Sequence, residues 1–312
     1  MSRHFLSLAD YSRRELEALL DRARALKSTA PVRAGQSLPL EGKQLGLLFE
    51  KPSLRTRVTF EVGMRQLGGD SIYLGASEVQ LGVRESVADV ARNLERWLDG
   101  IVLRTFRHET VEELARFSSI PVINGLTDLQ HPCQIFSDLL TILEKKGRLQ
   151  GVRLAYIGDG NNVANSWLQG ASILGMDFTL CTPKDYGPDP RILREEQKRA
   201  RKSGARIRLE SDPARAAEGA EVLYTDVWTS MGKEREAVRR KAAFRDFQIN
   251  RALLERAAPD AIVMHCLPAH RGEEITDEVM DGPQSVVFDQ AENRLHAQKA
   301  ILEFLMSGPR GR

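Results

Sequence analysis

Residues 45–60 read Leu45-Gly-Leu-Leu-Phe-Glu-Lys-Pro-Ser-Leu-Arg-Thr-Arg-Val-Thr-Phe60, and this stretch contains the unit on which the fold is built. The apolar run at 45–49 predicts a short buried strand, which Pro52 ends. A helical pattern follows, beginning after Ser53. A strand that leads through a short turn into a helix is the repeating unit of α/β proteins.

The same unit recurs along the chain. Short apolar runs alternate with helical patterns and lie at 101–103, 122–123, 154–157, 178–180, 221–224, 261–264 and 285–288. This alternation predicts an α/β fold of two doubly wound parallel-sheet domains joined by helices. Ligands of such sheets bind beyond the carboxyl ends of the strands, so the polar loops that follow strands are the candidate sites.

Chain length indicates how many domains to expect. At roughly 100–200 residues per domain, a chain of 312 residues has two. A predicted helix at 134–145 ends before Gly147, and a new strand begins near Val152. We therefore predict a first domain at 1–147 and a second at 148–290. The last helical segment, within 291–312, is expected to pack back on the first domain.

Composition excludes several classes of protein. Lys and Arg number 45 against 43 Asp and Glu, and a net charge of +2 gives no overall field that would hold nucleic acid. No stretch approaches the roughly 20 apolar residues of a membrane span, and no apolar signal segment is seen. Cys133, Cys181 and Cys266 form no CxxC pair, which argues against a disulfide framework. We expect a cytoplasmic protein.

The turn Ser53-Leu-Arg-Thr-Arg57 lies where a predicted strand gives way to a helix. Backbone N–H groups and the positive end of the helix dipole favour an anion there, and guanidinium groups beside hydroxyls suit phosphate. Alternatively, Ser53 is only a helix cap and both arginines form structural ion pairs.

Arg104 and the segment His131-Pro-Cys-Gln134 also follow predicted strands. A neutral imidazole, an amide and a guanidinium that converge on one point can bind and polarise a planar carbonyl group. The alternative for His131 is a capping or core histidine, since Pro132 alone explains a rigid turn.

The turn Tyr156-Ile-Gly-Asp-Gly-Asn-Asn-Val163 opens the second half of the chain. Its two glycines resemble part of a dinucleotide-binding turn, but the third glycine and the later acidic residue of that motif are missing. Asn161 and Asn162 are better suited to binding the charged groups of an amino acid, or one of them is simply a helix cap.

Two further loops follow strands of the second half. Asp226 precedes the turn Ser230-Met231-Gly232, and its carboxylate can pair with an ammonium group, although an aspartate there is often only a turn residue. The segment Met264-His-Cys-Leu-Pro-Ala-His-Arg-Gly-Glu-Glu274 contains two histidines and a cysteine. Their spacing matches no usual zinc motif, so we expect no metal.

Taken together, these motifs resemble the aspartate and ornithine carbamoyltransferase family along essentially the whole chain. The segment 49–57 resembles its carbamoyl phosphate motif, with Leu54 in place of the usual threonine. The segments His131-Pro-Cys-Gln134 and His265-Cys-Leu-Pro268 resemble the ornithine branch of the family.

The resemblance implies roles for particular residues. Arg55, Arg104, His131 and Cys266 would be catalytic. Carbamoyl phosphate would be bound by Ser53, Leu54, Arg55, Thr56, Gln80, Arg104, His131, Gln134, Cys266, Leu267 and Arg294, with Gln80 reaching the site of an adjacent subunit in a homotrimer. Ornithine would be bound by Asn162, Asp226, Ser230 and Met231. No cofactor or metal is implied.

The activity implied is transfer of the carbamoyl group of carbamoyl phosphate to the side-chain amine of L-ornithine, a step of arginine biosynthesis that yields citrulline and phosphate. Within the family, N-acetylornithine, N-succinylornithine or putrescine are alternative acceptors. From other classes, the alternatives are an NAD-dependent dehydrogenase and a non-catalytic amino-acid-binding protein.

Overall fold

Two parallel β-sheets organise the chain. The structure, a computed structural model, describes residues 3–28, 38–230 and 232–307. It divides into unit 1, which comprises Met1–Leu140 with Glu292–Arg312, and unit 2, which comprises Thr141–Ala291. None of the helices among the described residues combines the length and apolar composition that a bilayer-spanning helix requires.

Unit 1 begins with a 3-10 helix at Leu8–Asp10. Its regular elements then follow in the order α1 Arg13–Ser28, β1 Gln44–Phe49, α2 Leu54–Gln66, β2 Asp70–Gly75, α3 Ala76–Val79, α4 Val87–Leu94, β3 Gly100–Arg104, α5 His108–Phe117, β4 Val122–Leu126 and α6 Pro132–Lys146, the last of which continues into unit 2.

The sheet of unit 1 has the order β2-β1-β3-β4, with all strands parallel. β3 is wholly buried, and the apolar side chains of α4 and α5 form a core cluster with Leu48, Ile101 and Leu103. The chain starts at the centre of this sheet, moves to one edge, and then returns to build the other edge. That reversal leaves a crevice beyond the carboxyl ends of β1 and β3.

Unit 2 has the elements β5 Arg153–Ile157, α7 Asn162–Leu174, β6 Asp177–Cys181, α8 Pro190–Ser203, β7 Arg206–Glu210, α9 Pro213–Ala217, β8 Val222–Thr225, α10 Ala237–Phe244, α11 Arg251–Leu254, β9 Ile262–His265 and α12 Asp277–Met280. Short 3-10 helices at Glu234–Glu236 and Arg245–Phe247 flank α10. The last helix, α13 at Val287–Met306, begins in unit 2 and continues into unit 1.

The sheet of unit 2 has the order β7-β6-β5-β8-β9 and is also parallel. Tyr156 and Tyr224 are register partners on β5 and β8, and their rings stack 5.5 Å apart. The buried Trp167 of α7 meets Tyr224 edge-on at 5.4 Å and stacks on Phe178. Here too the order of strands reverses at the centre, between β5 and β8.

The predicted fold class is confirmed, and one strand prediction is wrong. Residues 285–288 make only a single bridge, between Ser285 and Val263, before α13 begins. The carbonyl of Val286 accepts the N–H of Gln290 at 2.8 Å, so Val286 and Val287 lead into a helix and do not extend a strand. The edge strands β2 and β7 were not predicted, because their residues are largely polar or partly exposed and give no continuous apolar run.

Gly160 is required by packing within unit 2. A Cβ at this position would lie 2.3 Å from the backbone carbon of Gly187 and 2.4 Å from the nitrogen of Pro188. The glycine therefore allows one backbone segment to approach another, and this contact explains its presence without a bound dinucleotide.

We expect Gly160→Ala to lower the free energy of unfolding by roughly 1–3 kcal/mol, because the added methyl group meets backbone that cannot rotate away. Gly187→Ala is the matched control, since a Cβ there has nothing within 4 Å. It should change the free energy by less than about 0.5 kcal/mol. Denaturant unfolding of the three proteins measures the difference, and equal losses would contradict the packing argument.

Candidate active site

In unit 1, the N-terminus of α2 lies directly after β1 at the point where the strand order reverses. Ser53 is the N-cap, and its hydroxyl accepts the N–H of Thr56 at 3.3 Å. The first turn carries no acidic residue, so its positive dipole is not offset locally. Leu54 is 75% exposed and its side chain is apolar, so the group that it can offer to an anion at the helix terminus is its backbone N–H.

Arg294 connects the two helices that begin at this site. It lies on α13, is almost fully buried, and donates to the hydroxyl of Thr56 at 2.9 Å and to the side-chain oxygen of Gln134. Gln134 in turn donates to Asp138 at 2.8 Å. These contacts bring together three of the residues that the sequence predicted separately.

Positive charge is concentrated around Arg104, the last residue of β3. Burial lowers the pKa of its guanidinium to about 9, with further contributions from the charges of Arg294 and Arg55. Its Nε has no hydrogen-bond partner among the described residues. Arginines crowded in a buried place repel one another, so an anion bound among them would relieve that repulsion.

His131 lies in the same electrostatic environment. Its ring is buried, and its pKa is held well below 6.5, first by burial and then by the charges of Arg294, Arg104 and Arg55. The imidazole is therefore neutral near pH 7. We call Arg55, Arg104, His131, Gln134 and Arg294, together with Ser53 and Thr56, the unit 1 cluster.

Gln80 and Arg57 are both exposed, and each has a partner outside the unit 1 cluster. Gln80 occupies an exposed turn after α3 with a φ of +42°, and its amide nitrogen donates to the carbonyl of Ser77 at 3.5 Å. Arg57 pairs with Glu61 at 2.8 Å and lies 3.8 Å above the ring of Tyr73. Of the two arginines in the turn, only Arg55 contributes to the charge around Arg104 and His131.

In unit 2, Asn161 and Asp226 follow the two strands at which the strand order reverses. Asn161 is the N-cap of α7 and Asn162 is the first residue of that helix. The side-chain nitrogen of Asn161 donates to Asp226 at 2.8 Å. The sequence predicted Asn162 as a ligand of ornithine, and that prediction stands beside the contact that Asn161 makes with Asp226.

Asp226 has partners on both carboxylate oxygens. Oδ2 accepts from Asn161, while Oδ1 accepts the N–H of Val227 at 2.8 Å and the thiol of Cys266 at 3.0 Å. The side chain is 7% exposed. The structure therefore brings together a carboxylate and a thiol that the sequence assigned to different motifs.

The loop after β9 is organised by His265, which is almost fully buried. Its Nε2 lies 3.1 Å from the carboxylate of Glu274, and its Nδ1 accepts the N–H of Leu267 at 2.8 Å. Leu267 has a φ of +59°, which leucine rarely adopts, and the hydrogen bond that its N–H donates to His265 stabilises this backbone. Cys266 and Leu267 are thus held on an ordered turn.

A further contact in unit 2 was missed by sequence reasoning. Arg240 is buried and donates to the carbonyl of Trp228 at 3.0 Å and to Asp159 at 2.8 Å. It therefore supports the segment that contains Ser230, which is partly exposed. Arg240 follows another arginine and precedes a lysine, so its sequence context gave no signal. The predicted ligand Met231 lies outside the described residues.

Among the residues that the structure describes, two groups of side chains have potential metal-ligand atoms within 4.8 Å of one another, namely Asp226, His265 and Cys266, and His270, Glu273 and Glu274. In the first group the thiol donates to the carboxylate, and His265 is engaged by Glu274 and Leu267. In the second, Glu273 pairs with Lys241 at 2.6 Å.

Known proteins resemble the chain over almost its full length. A relative from Symbiobacterium thermophilum, named ornithine carbamoyltransferase, is 54% identical over 98% of this chain and 98% of its own. The structure of ornithine carbamoyltransferase from Pyrococcus furiosus is 49% identical, with a TM-score of 0.94 over 99% of this chain and 98% of that one. An anabolic ornithine carbamoyltransferase from Campylobacter jejuni is 41% identical, with a TM-score of 0.91 over 97% of this chain and 98% of that one.

Family models give the same result for each half. Residues 3–144 match the carbamoyl-P binding domain of aspartate/ornithine carbamoyltransferases, and residues 150–305 match the Asp/Orn binding domain. Because these matches cover nearly the whole chain, it belongs to the aspartate/ornithine carbamoyltransferase family.

Proposed function

We propose that this protein transfers the carbamoyl group of carbamoyl phosphate to the side-chain amine of L-ornithine and forms citrulline and phosphate. The observation that carries the proposal is the unit 1 cluster, in which buried arginines and a neutral histidine surround a helix N-terminus. The anabolic relative supports a biosynthetic direction, toward arginine.

The two substrates are divided between the predicted domains. Residues 1–147, with the last helix, supply all the carbamoyl phosphate ligands except Cys266 and Leu267, and residues 148–290 bind ornithine. The carbamoyl phosphate ligands are Ser53, Leu54, Arg55, Thr56, Gln80, Arg104, His131, Gln134, Cys266, Leu267 and Arg294, and the ornithine ligands are Asn162, Asp226, Ser230 and Met231. This assignment is supported by the charge of the unit 1 cluster and by the carboxylate of Asp226.

Charge stabilisation accounts for the chemistry on the carbamoyl phosphate side. Arg55 and the N–H groups of α2 bind the phosphate, while Arg104 and His131 polarise the carbonyl group. The ornithine amine attacks the carbonyl carbon, a C–N bond forms, and the C–O bond to phosphate breaks. The departing phosphate takes up the proton that the amine loses. A neutral His131 suits this role because it adds no further charge to the arginines.

Asp226 accounts for the preference for ornithine. Its carboxylate pairs with the free α-ammonium group of the substrate. N-Acetyl- and N-succinylornithine lack that charge, and putrescine lacks the carboxylate that Asn162 binds. An unpaired buried polar group costs about 1–3 kcal/mol. The other classes are disfavoured, because the packing of Gly160 explains the glycine turn without a dinucleotide, and a binding protein has no need of a polarised carbonyl site.

L-Ornithine should have the highest kcat/KM in a phosphate-release assay with L-ornithine, N-acetylornithine, N-succinylornithine and putrescine as acceptors. Asp226→Asn should lower kcat/KM for L-ornithine at least about tenfold, because it removes the partner of the ammonium group, and should affect N-acetylornithine much less.

Asp177→Asn is the control, since Asp177 pairs with the exposed Arg206 at the amino ends of β6 and β7. It should leave all the rates unchanged. Faster turnover of an N-acylated acceptor or putrescine by the wild-type protein would refute the substrate assignment. Ornithine binding without phosphate release would indicate a binding protein.

A second test concerns the protonation of His131. Its pKa is depressed in the folded protein, so the unfolded chain takes up a proton near pH 6.5 that the folded protein excludes. The free energy of unfolding should therefore fall as the pH drops from 6.5 to 5.5, and His131 contributes up to about 1 kcal/mol of that fall.

His131→Gln should flatten this dependence, as measured by urea unfolding across the pH range. The pKa values of His4, His108 and His296 are also lowered by burial, but these residues are present in both proteins and cancel in the difference. Parallel curves for the two proteins would show that His131 titrates normally.

We also propose that three chains assemble and that Gln80 acts in the site of a neighbouring chain. Two observations on unit 1 support an interface. Leu54, Val58 and Val62 are spaced four residues apart on α2 and present an exposed apolar stripe, and Ile72 of the edge strand β2 is exposed as well. Gln80 itself lies on an exposed turn, and its amide donates to the carbonyl of Ser77 in the same segment.

Arg55→Ala and Gln80→Ala should each abolish most activity. Refolding the two variants together in equal amounts should restore activity to about a quarter of the wild-type value, because one site in four combines an intact Arg55 with an intact Gln80 from the neighbouring chain. A mixture of Arg55→Ala with Arg104→Ala is the control and should stay inactive, since both residues belong to one chain's cluster. No recovery in the first mixture would argue for a self-contained site.

The proposed compartment is the cytoplasm. All three cysteines are free thiols, and those of Cys133 and Cys181 are buried. Burial raises the pKa of each of these two thiols to about 12, so they stay protonated and unreactive.

A further inference from the structure

We propose that Asn161 is a positioning residue, which orients the carboxylate of Asp226 for the α-ammonium group of the acceptor while its other side-chain atom caps α7. This inference rests on the proposed function and adds a residue to it. Two hydrogen bonds support it: the amide nitrogen of Asn161 donates to Asp226, and the amide oxygen accepts the N–H of Val163 at the start of α7.

The orientation of the amide is determined by its surroundings. Its oxygen accepts the N–H groups of Val163 and Ala164 at 2.9 and 3.2 Å and the phenol of Tyr156 at 3.2 Å. All three of these partners are donors, so the amide cannot be reversed without losing them. Its nitrogen must therefore face Asp226.

Tyr156 keeps this arrangement in place. The side chain is fully buried, and its pKa is raised well above 10 by burial and then by the charge of Asp226, so the phenol remains a hydrogen-bond donor. The ring also stacks on Tyr224, two residues before Asp226. The core of unit 2 thus fixes Asn161, and Asn161 fixes the carboxylate.

The effect on the carboxylate is specific. With Oδ2 bound by Asn161 and Oδ1 bound by Val227 and Cys266, the carboxylate is held on both sides and cannot turn about its own axis without breaking one of these bonds. An ammonium group that arrives therefore meets a carboxylate whose orientation is already set, which lowers the ordering cost of binding.

Asn161→Ser separates the two functions of the residue. Serine is an equally good N-cap and can still accept the N–H groups of α7, but it has no amide nitrogen to donate to Asp226. We expect the KM for L-ornithine to rise at least about tenfold, as for loss of a hydrogen bond to a charged group. The KM for carbamoyl phosphate should stay within about twofold and the melting temperature nearly unchanged.

Asn250→Ser is the matched control. Asn250 caps α11 in the same unit, accepting the N–H of Leu253 at 3.0 Å, and its replacement should leave both KM values unchanged. Tyr156→Phe is a second variant. It removes the hydrogen bond that the phenol donates to the amide oxygen of Asn161, and it should raise the KM for L-ornithine by a smaller factor.

A double-mutant cycle with Asp226→Ala identifies the route of the effect. If Asn161 acts through Asp226, then Asn161→Ser should change kcat/KM for L-ornithine by less than about twofold in the Asp226→Ala protein. An unchanged KM in the single variant, or fully additive effects in the cycle, would overturn the inference. Failure of the wild-type protein to form citrulline would instead sink the proposed function.

Discussion

The shared direction of the strands is the constraint on which this molecule depends. Because all strands of each sheet are parallel, every loop that follows a strand emerges at the same edge, and the reversal of strand order opens a crevice at the centre of that edge. In unit 1 the turn at Ser53 and Arg104 flank the reversal, and in unit 2 Asn161 and Asp226 do so. Residues far apart in sequence meet there without any long loop to carry them.

The two units use that edge in opposite electrostatic ways. Unit 1 places several arginines close together and keeps His131 neutral, so the charge at this edge is positive and favours an anion. Unit 2 places the carboxylate of Asp226 at this edge and surrounds it with hydrogen-bond donors. Buried charges of one sign destabilise a fold unless they are paired. The packing beneath each site, such as the stacked tyrosines of β5 and β8, supplies stability that the charged groups do not.

Sequence patterns predicted the architecture well where strands were buried and apolar. They missed β2 and β7, whose polar and partly exposed residues give no clear periodicity, and they extended the pattern of 285–288 into a strand because β-branched residues also begin α13. Candidate site residues could be predicted from their positions after strands. The partners of those residues could not be predicted from the sequence. The hydrogen bonds from Asn161 to Asp226 and from Arg240 to Trp228 depend on side-chain directions, which a one-dimensional pattern does not contain.

The position of Arg294 has a consequence for biosynthesis of the chain. A ribosome completes β1 to β4 well before it reaches Arg294, whose guanidinium joins Thr56 to Gln134. The same helix supplies Glu303, which pairs with Arg22 at 2.7 Å, and Lys299, whose side chain lies against Gly63 of α2. A nascent chain that stops before α13 therefore lacks one arginine of the unit 1 cluster and leaves part of α2 uncovered, and synthesis of α13 completes both.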